Sequence, residues 1–386
     1  MNSATDIRIP DPAWGSTLAG VVLDLEKLRS RKLFGEVPAH IFFQLKETFQ
    51  ILETLGSARI EGNNTTLPAY VEKIIEGKTK KDESQREIKN LEDAIKFIEE
   101  NTTENTVITR AYISELHKIV TRDLAPPPSG EGSNNPGGLR MVNVIIKKSQ
   151  HTPPDVAVLP EHFEKFLEFI NTDFGEQYQL LMVAVSHHRF AHIHPFDNGN
   201  GRMGRLLNYA LLIKSGFQVK KGRIINPSSV FYGNRDKYYD MLSVADSLAD
   251  ADVLSWAEYF LLGLKNEIEK VDCLLGKKYV EEEIFLPALA SALEKKYITD
   301  QECDILKYLV SKDDMSMKAE ELDALGISGS VQKSRTMTKL RDKKMIRPLT
   351  KGGRIYTIHF INNYLLRSVI DVLEQKGFVS DFLNKN

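Results

Sequence analysis

The chain has 386 residues, 42% of them apolar and 27% charged, with a formal net charge of -2. That length carries two or three domains, each with its own core, and the near-neutral balance excludes a chain-wide polyanion-binding surface, so any basic face must be local. No run of ~18 apolar residues offers a membrane span. The N-terminus lacks the basic-then-apolar order of a signal peptide. Cys273 and Cys303, the two cysteines, suit buried positions on helices better than a disulfide or zinc framework. A cytoplasmic location is the expectation.

Taken in chain order, helical periodicity dominates. Ile41, Leu45, Phe49, Leu52 and Ile60 recur at helical spacing in PAHIFFQLKETFQILETLGSARIEG, which predicts a long amphipathic helix. ESQREIKNLEDAIKFIEEN and TRAYISELHKIVTRDL repeat the pattern, the second behind Thr109 as N-cap. Residues 125–138, APPPSGEGSNNPGG, are loop. Val142, Val144 and Ile146 then alternate with Asn143, Ile145 and Lys147, and Pro153-Pro154 interrupts before Val156, so a β-hairpin is expected over 139–158. Five further helical stretches follow, the last a single long one from Asp252 to Glu283, and Gly216 reads as a helix C-terminus. From about 297 the texture changes to three short helices and two strands around Lys351-Gly352-Gly353-Arg354.

The stretch IHPFDNGNGRMGRLL, 193–207, concentrates the chemistry. Asn198-Gly199-Asn200-Gly201 is a turn that tolerates positive φ and runs into a helix, where converging backbone N–H groups and the helix dipole make an anion nest. Arg202 and Arg205 start that helix three residues apart, and their guanidinium forks suit a polyphosphate. His194 stands beside them as a general base, its ordinary pKa near ~6.5. With His187, His188 and His192 it falls at i, i+1, i+5 and i+7, without the glutamate of an HExxH helix. The three upstream histidines therefore read as packing or polar-shell residues and not as a metal site.

HPFDNGNGRMGR closely resembles the signature of the Fic (filamentation induced by cAMP) family, HPFx(D/E)GNGRxxR, through His194, Pro195, Phe196, Gly199, Asn200, Gly201, Arg202 and Arg205. The resemblance extends over most of residues 40–270. It implies a mainly α fold: a Fic-type helical core with a β-hairpin flap, joined to a C-terminal winged helix-turn-helix. The domains would be an N-terminal helical region (1–108) carrying an inhibitory helix, a catalytic core (109–275), a linker helix (276–296) and a winged-helix domain (297–386). The implied reaction is AMPylation, a nucleotidyltransferase step moving AMP from ATP to a Ser, Thr or Tyr hydroxyl of a protein, this chain included.

By the same resemblance His194 would take the hydroxyl proton. Gly199, Asn200 and Gly201 would hold the α-phosphate, and Arg202 and Arg205 the outer phosphates. Asn234 and Tyr238, in a segment like the family's helix after the motif, would join the nucleotide site, while Val144, Ile145 and Ile146 in the flap would hold the target segment. Asn198 stands where the family has Asp or Glu for Mg2+ (or Mn2+), a weaker ligand to a hard cation. SARIEGNN (57–64) resembles the family's inhibitory motif, in which Ser57 and Glu61 lie one helical turn apart and Glu61 would pair with Arg205. Removal of AMP by the same site stays open.

Between Gly329 and Arg354 nine basic residues face one acid, Asp342, which suits a DNA-reading helix with Lys351 and Arg354 at the wing. A DNA-binding regulator with a nucleotide-sensing core is the alternative function, and transfer of phosphate or phosphocholine a third. The protein target, and the choice between monomer and homodimer, are not written in the chain.

Overall fold

The structure is a computed structural model that describes residues 6–30, 35–77, 82–146, 150–217 and 224–384. It is mainly α, with 63% helix and one small three-stranded sheet. Two compact units interleave along the chain. One takes 1–31, 53–64 and 80–268, the other 32–52, 65–79 and 269–386. Among the described residues no helix is long and apolar enough to cross a membrane.

The first unit holds α1 (Thr17–Ser30) and the last turns of α2 (Ala39–Ile60). Between α3 (Leu67–Glu76), which belongs to the other unit, and the motif come α4 (Glu83–Asn101), α5 (Arg110–Thr121), α6 (Leu159–Asn171) and α7 (Glu176–Ile193). Then follow α8 (Asn200–Lys214), the short α9 (Ser229–Tyr232), α10 (Arg235–Ala245) and most of α11 (Asp250–Asp272). Asp82 and Thr109 cap α4 and α5 by accepting from Gln85 N at 2.8 Å and Tyr112 N at 3.2 Å. Such caps satisfy donors a helix start cannot pair within itself.

α7 packs on α8 and α6, and α8 also meets α4 and α5. Both central helices are buried on every side from Leu180 to Phe190 and from Arg202 to Ile213, apart from Gly201 at the start of α8. The expected amphipathic stripe is likewise missing from the end of α2, where Ile51–Ile60 is buried throughout. A helix enclosed on all faces has no polar side to show. Gly56 lets α2 approach Tyr232, since a Cβ there would lie 2.2 Å from the ring. Behind α7, Phe231, Trp256, Phe260 and His187 stack face to face, with Trp256 Nε1 donating to Ala184 O at 2.7 Å. Each buried ring contributes on the order of 2–3 kcal/mol of transfer free energy.

The hairpin expected over 139–158 does not form: residues 139–146 and 150–158 carry no strand. Residues 147–149 lie outside the described residues. Alternation alone does not make a ladder when neither run finds a partner edge. The segment is anchored instead by side chains, as described below.

The second unit pairs the start of α2 and α3 with the C-terminal third. The single helix expected over 252–283 breaks at Gly276, after a 3-10 turn at Cys273–Leu275. The chain resumes as α12 (Lys277–Tyr279), a π-turn (Val280–Phe285) and α13 (Leu286–Glu294). α14 (Asp300–Ser311) opens on a capping box between Thr299 and Glu302. The next expected helix is instead β1 (Ser316–Lys318) and a 3-10 segment (Ala319–Leu325), followed by α15 (Ser330–Asp342). β2 (Ile346–Pro348) and β3 (Ile355–Ile358) form a hairpin, β1 adds to β3, and all pairings are antiparallel. α16 (Tyr364–Gln375) packs on α13 and α3. Gln44 of α2 closes this unit, donating to Ile358 O and accepting from Phe360 N, each at 3.1 Å. Cys303 is buried, Cys273 half-buried, and both are free thiols.

Candidate functional site

The motif begins where α7 ends. His194 adopts the left-handed conformation (φ 51°, ψ 60°), its N–H closing on Phe190 O at 3.0 Å. This turns the chain sharply out of the helix and presents the imidazole at the loop. Asn200 then staples the loop: Phe196 N donates to its Oδ1, and its Nδ2 donates to Phe196 O, each at 2.9 Å. The Asn200 side chain, expected at the α-phosphate, thus shapes the turn. Phe196 is buried and stacks flat on His117, ring centroids 3.8 Å apart.

His117 ties the Pro/Gly-rich loop to the same turn. Its Nδ1 accepts from Gly137 N at 2.8 Å, so Nε2 carries the proton and donates to Asn198 O at 3.1 Å. Burial pushes the ring down to about 4, consistent with this neutral tautomer. Asp197 accepts from Ser133 Oγ at 2.5 Å and Asn134 N at 2.7 Å. The Asn198 amide donates to Gly132 O at 3.0 Å and accepts from Gly199 N at 2.8 Å.

These contacts bear on a Mg2+ site at the turn. The amide placed to bind the cation is turned onto backbone, and the adjacent carboxylate is committed to Ser133 and Asn134. Mg2+ takes carboxylate and phosphate oxygens in strict octahedral geometry. The residues present at the turn do not fit such a ligand set.

A carboxylate sits at the start of α8, where the sequence predicts an anion nest. Arg205 is buried at 1% exposure, donating from Nε to Ser57 Oγ (2.9 Å) and from Nη2 to Ser57 O (2.9 Å) and Glu61 Oε1 (2.7 Å). A Cβ added at Gly201 would lie 2.1 Å from Glu61 Oε1, so the carboxylate rests against the first turn of α8. Burial by itself would raise the Glu61 pKa. The charge and hydrogen bond of Arg205, with Arg202 and Arg235 beyond, outweigh it and hold the group below the ordinary carboxylate range. Arg205 Nη1 is buried with no hydrogen-bond partner among the described residues.

The two arginines do not converge. Fully buried Arg202 sends Nη1 to Glu87 Oε1 at 2.9 Å and Nη2 to Glu131 O and Oε2 at 2.8 and 3.0 Å. Asn63 Nδ2 donates to the other Glu87 oxygen at 2.8 Å. A helix places residues three apart on one side, but long side chains follow their nearest carboxylates.

His194 is partly buried, and burial pushes its imidazole down to about 4, with one ring nitrogen held to Ala191 O. The ring is thus neutral at pH 7 with a lone pair on its other nitrogen. Arg140, 2% exposed, holds the backbone here: Nε donates to His194 O at 2.9 Å, Nη1 to Val142 O at 3.1 Å, and Nη2 to Pro154 O. It anchors the segment expected as a hairpin. Val144 and Ile146 are half-buried there, and Ile145 is 89% exposed.

Of the other residues named from sequence, Asn234 caps α10 by accepting from Lys237 N at 3.0 Å, and Tyr238 is buried with its hydroxyl 2.9 Å from His187 Nε2. Asn234 serves as this cap, whereas Tyr238 also lies beside Arg205 and Glu61 at the cradle. Tyr239, exposed beneath Arg235 (5.6 Å), is the second α10 tyrosine whose surroundings include Glu61 and Arg205. His117, Arg140, Glu87 and Glu131 were missed from sequence. Asn-Gly-rich loops and lone charges in amphipathic helices carry no signal of what they will meet. His188 and His192 are four residues apart and share a face of α7, rings 5.6 Å apart, a spacing hidden when the histidines are counted from His187.

Residues 107–212 match the model of the Fic/DOC family. "Protein adenylyltransferase Fic" of Drosophila erecta is 33% identical over 199 residues, covering 49% of this chain and 36% of that protein. The protein of the same name from Aedes aegypti is 32% identical over 198 residues with the same coverage. The chain thus spans little more than a third of these relatives' length. In fold it is similar to a Fic family protein from Desulfovibrio desulfuricans G20 (TM-score 0.55, 20% identity, 91% of this chain and 98% of that one). It is similar also to Fic-1 of C. elegans (TM-score 0.53, 20% identity, 67% and 73%).

Proposed function

Because the chain carries a Fic/DOC family domain over residues 107–212, we propose that it is a protein adenylyltransferase held off by its own Glu61. The observation that carries this reading is the Glu61 carboxylate lodged between the first turn of α8 and the Arg205 guanidinium, where an anion is wanted. An outer phosphate of ATP competes for the same donors.

With Glu61 withdrawn, Arg205 and the α8 amides bind the polyphosphate and orient the α-phosphorus. Neutral His194 takes the proton of the target Ser, Thr or Tyr hydroxyl. The hydroxyl oxygen bonds to the α-phosphorus, the bond from that phosphorus to the oxygen bridging to the β-phosphate breaks, and pyrophosphate leaves. Catalysis here is positioning plus charge stabilisation. Arg202, locked to Glu87 and Glu131, supports the turn from behind.

The test incubates the full chain, Glu61→Gly and His194→Ala with ATP carrying a labelled α-phosphate, in Mg2+ or in Mn2+, and weighs the protein. Loss of a charged hydrogen bond of ~2 kcal/mol predicts a rise of ~30-fold in self-modification for Glu61→Gly. His194→Ala gives none. If Glu61→Gly takes up no label with either metal, AMP transfer is the wrong reaction. If it only matches the wild type, the plug is not a brake.

For the second unit, nucleic-acid contact through α15 and the β2–β3 turn remains our reading. Arg335, Lys339, Arg341, Lys344, Arg347, Lys351 and Arg354 are exposed there, while Lys333 and Lys343 are spent on Asp323 and Glu302.

A further inference from the structure

Away from the anion cradle, three elements of the first unit bring imidazoles and a carboxylate together. His192 lies in the last turn of α7, His151 in the segment anchored by Arg140, and Asp246 at the end of α10. One ligand atom from each lies within 4.8 Å of the others. The His151 and His192 rings are 3.9 Å apart at 35°.

Two further contacts resemble the supports of a metal centre. His151 Nε2 meets His192 O at 2.7 Å. A carbonyl only accepts, so that nitrogen carries the proton and Nδ1 carries the lone pair. His188, 1% exposed and one helical turn before His192, reaches Asp246 Oδ1 through Nε2 at 3.0 Å, and its Nδ1 is buried without a partner. Metal-bound imidazoles and carboxylates are oriented by such hydrogen bonds to carbonyls and to neighbouring side chains. Packing alone gives no reason to gather His151, His188, His192 and Asp246 in one place, where imidazoles crowd each other's polar edges.

We propose that His151, His192 and Asp246 form a binding site for a borderline divalent cation of the zinc type, with His188 positioning Asp246. Two imidazoles and one carboxylate suit Zn2+ and leave a position for water. Bonds of ~2.0–2.2 Å require the ligand atoms to draw closer than in the present arrangement, which rotation of the half-exposed His151 and Asp246 allows. The bound ion clamps the 150–155 segment to the end of α7, two residues before His194, and to the end of α10. It thereby stiffens the wall beside the base.

The test uses the full chain stripped with chelator. Zn2+ is titrated calorimetrically, and Co2+ is followed by its visible d–d bands, for wild type, His151→Ala, His151→Gln and Asp246→Asn, with far-UV circular dichroism as the fold control. One Zn2+ per chain is expected in the wild type, weakened by at least ~10–100-fold in each variant. Asn198→Ala should keep full affinity, separating this site from the motif turn. In the wild type Zn2+ should also slow amide exchange at 150–155 and at the end of α7, a readout that needs no variant. Absence of stoichiometric binding, or affinity unchanged in the His151 and Asp246 variants, overturns the proposal.

Discussion

An imidazole held down to about 4 stays neutral throughout the range in which proteins work, so His194, the proposed base, can accept a proton at pH 7 without titrating first. The depressed value has a sign consequence. The neutral form exists above the folded pKa, so kcat/KM of the Glu61→Gly variant should be flat near neutrality and fall only as pH drops toward 4, with no break near ~6.5. Removing the Glu61 charge, which raises His194, moves that limb lower still. An acid limb near 6.5 in the pH–rate profile would contradict the burial argument. Asn198 gives a second residue-scale prediction. Asn198→Asp loses the donation to Gly132 O and places a charge there instead, costing ~1–2 kcal/mol in urea denaturation. It also supplies the carboxylate a hard cation prefers, so the Glu61→Gly/Asn198→Asp double variant should gain Mg2+ dependence over Glu61→Gly in a metal titration.

At the scale of elements, the candidate site is a junction of four pieces: the end of α2, the α7–α8 turn, the 125–138 loop and the 139–155 segment. His117 joins two of them through Gly137 and Asn198 while its ring supports Phe196. His117→Ala removes a buried ring and two hydrogen bonds, and should cost ~2–4 kcal/mol by denaturant midpoint. His117→Phe keeps the stack but leaves the Gly137 N–H and Asn198 carbonyl without it, and should fall between wild type and His117→Ala. Thr109 as cap of α5 and Gly216 after α8 stand where the pattern placed them. The hairpin over 139–158 does not, because period-two alternation predicts a strand only when a partner edge exists. Arg140, whose side chain takes over the anchoring, looked like any surface arginine in the sequence.

At the scale of the whole molecule, the two compact units interleave, yet each carries its own core and its own surface chemistry. The catalytic reading rests on the first alone and the basic face on the second, so the two are tested separately. Arg335 and Lys339, four apart on exposed α15, give the clearest probe. Retention of a labelled duplex should fall steeply between ~50 and ~200 mM salt and vanish in Arg335→Glu/Lys339→Glu. As exposed positions, both changes should leave stability within ~0.5 kcal/mol. Binding that ignores salt would point to a protein partner for this face.

By itself the sequence determined what is local or carried by an irregular motif. The helical content, the turn at 198–201 and His194 at its entrance were legible from residue types at fixed spacing, and the pairing of Glu61 with Arg205 from the resemblance of SARIEGNN to a known inhibitory motif. Only the tertiary structure decided where long side chains end. Arg202 turned to Glu87 and Glu131, Asn200 and Asn198 turned onto backbone, Tyr238 went into the core, and His151 and Asp246 came to lie beside His192. The reason is physical. A backbone turn is set by φ preferences of neighbouring residues, whereas a buried guanidinium or amide goes to whichever partner the packing of distant helices brings within hydrogen-bond reach.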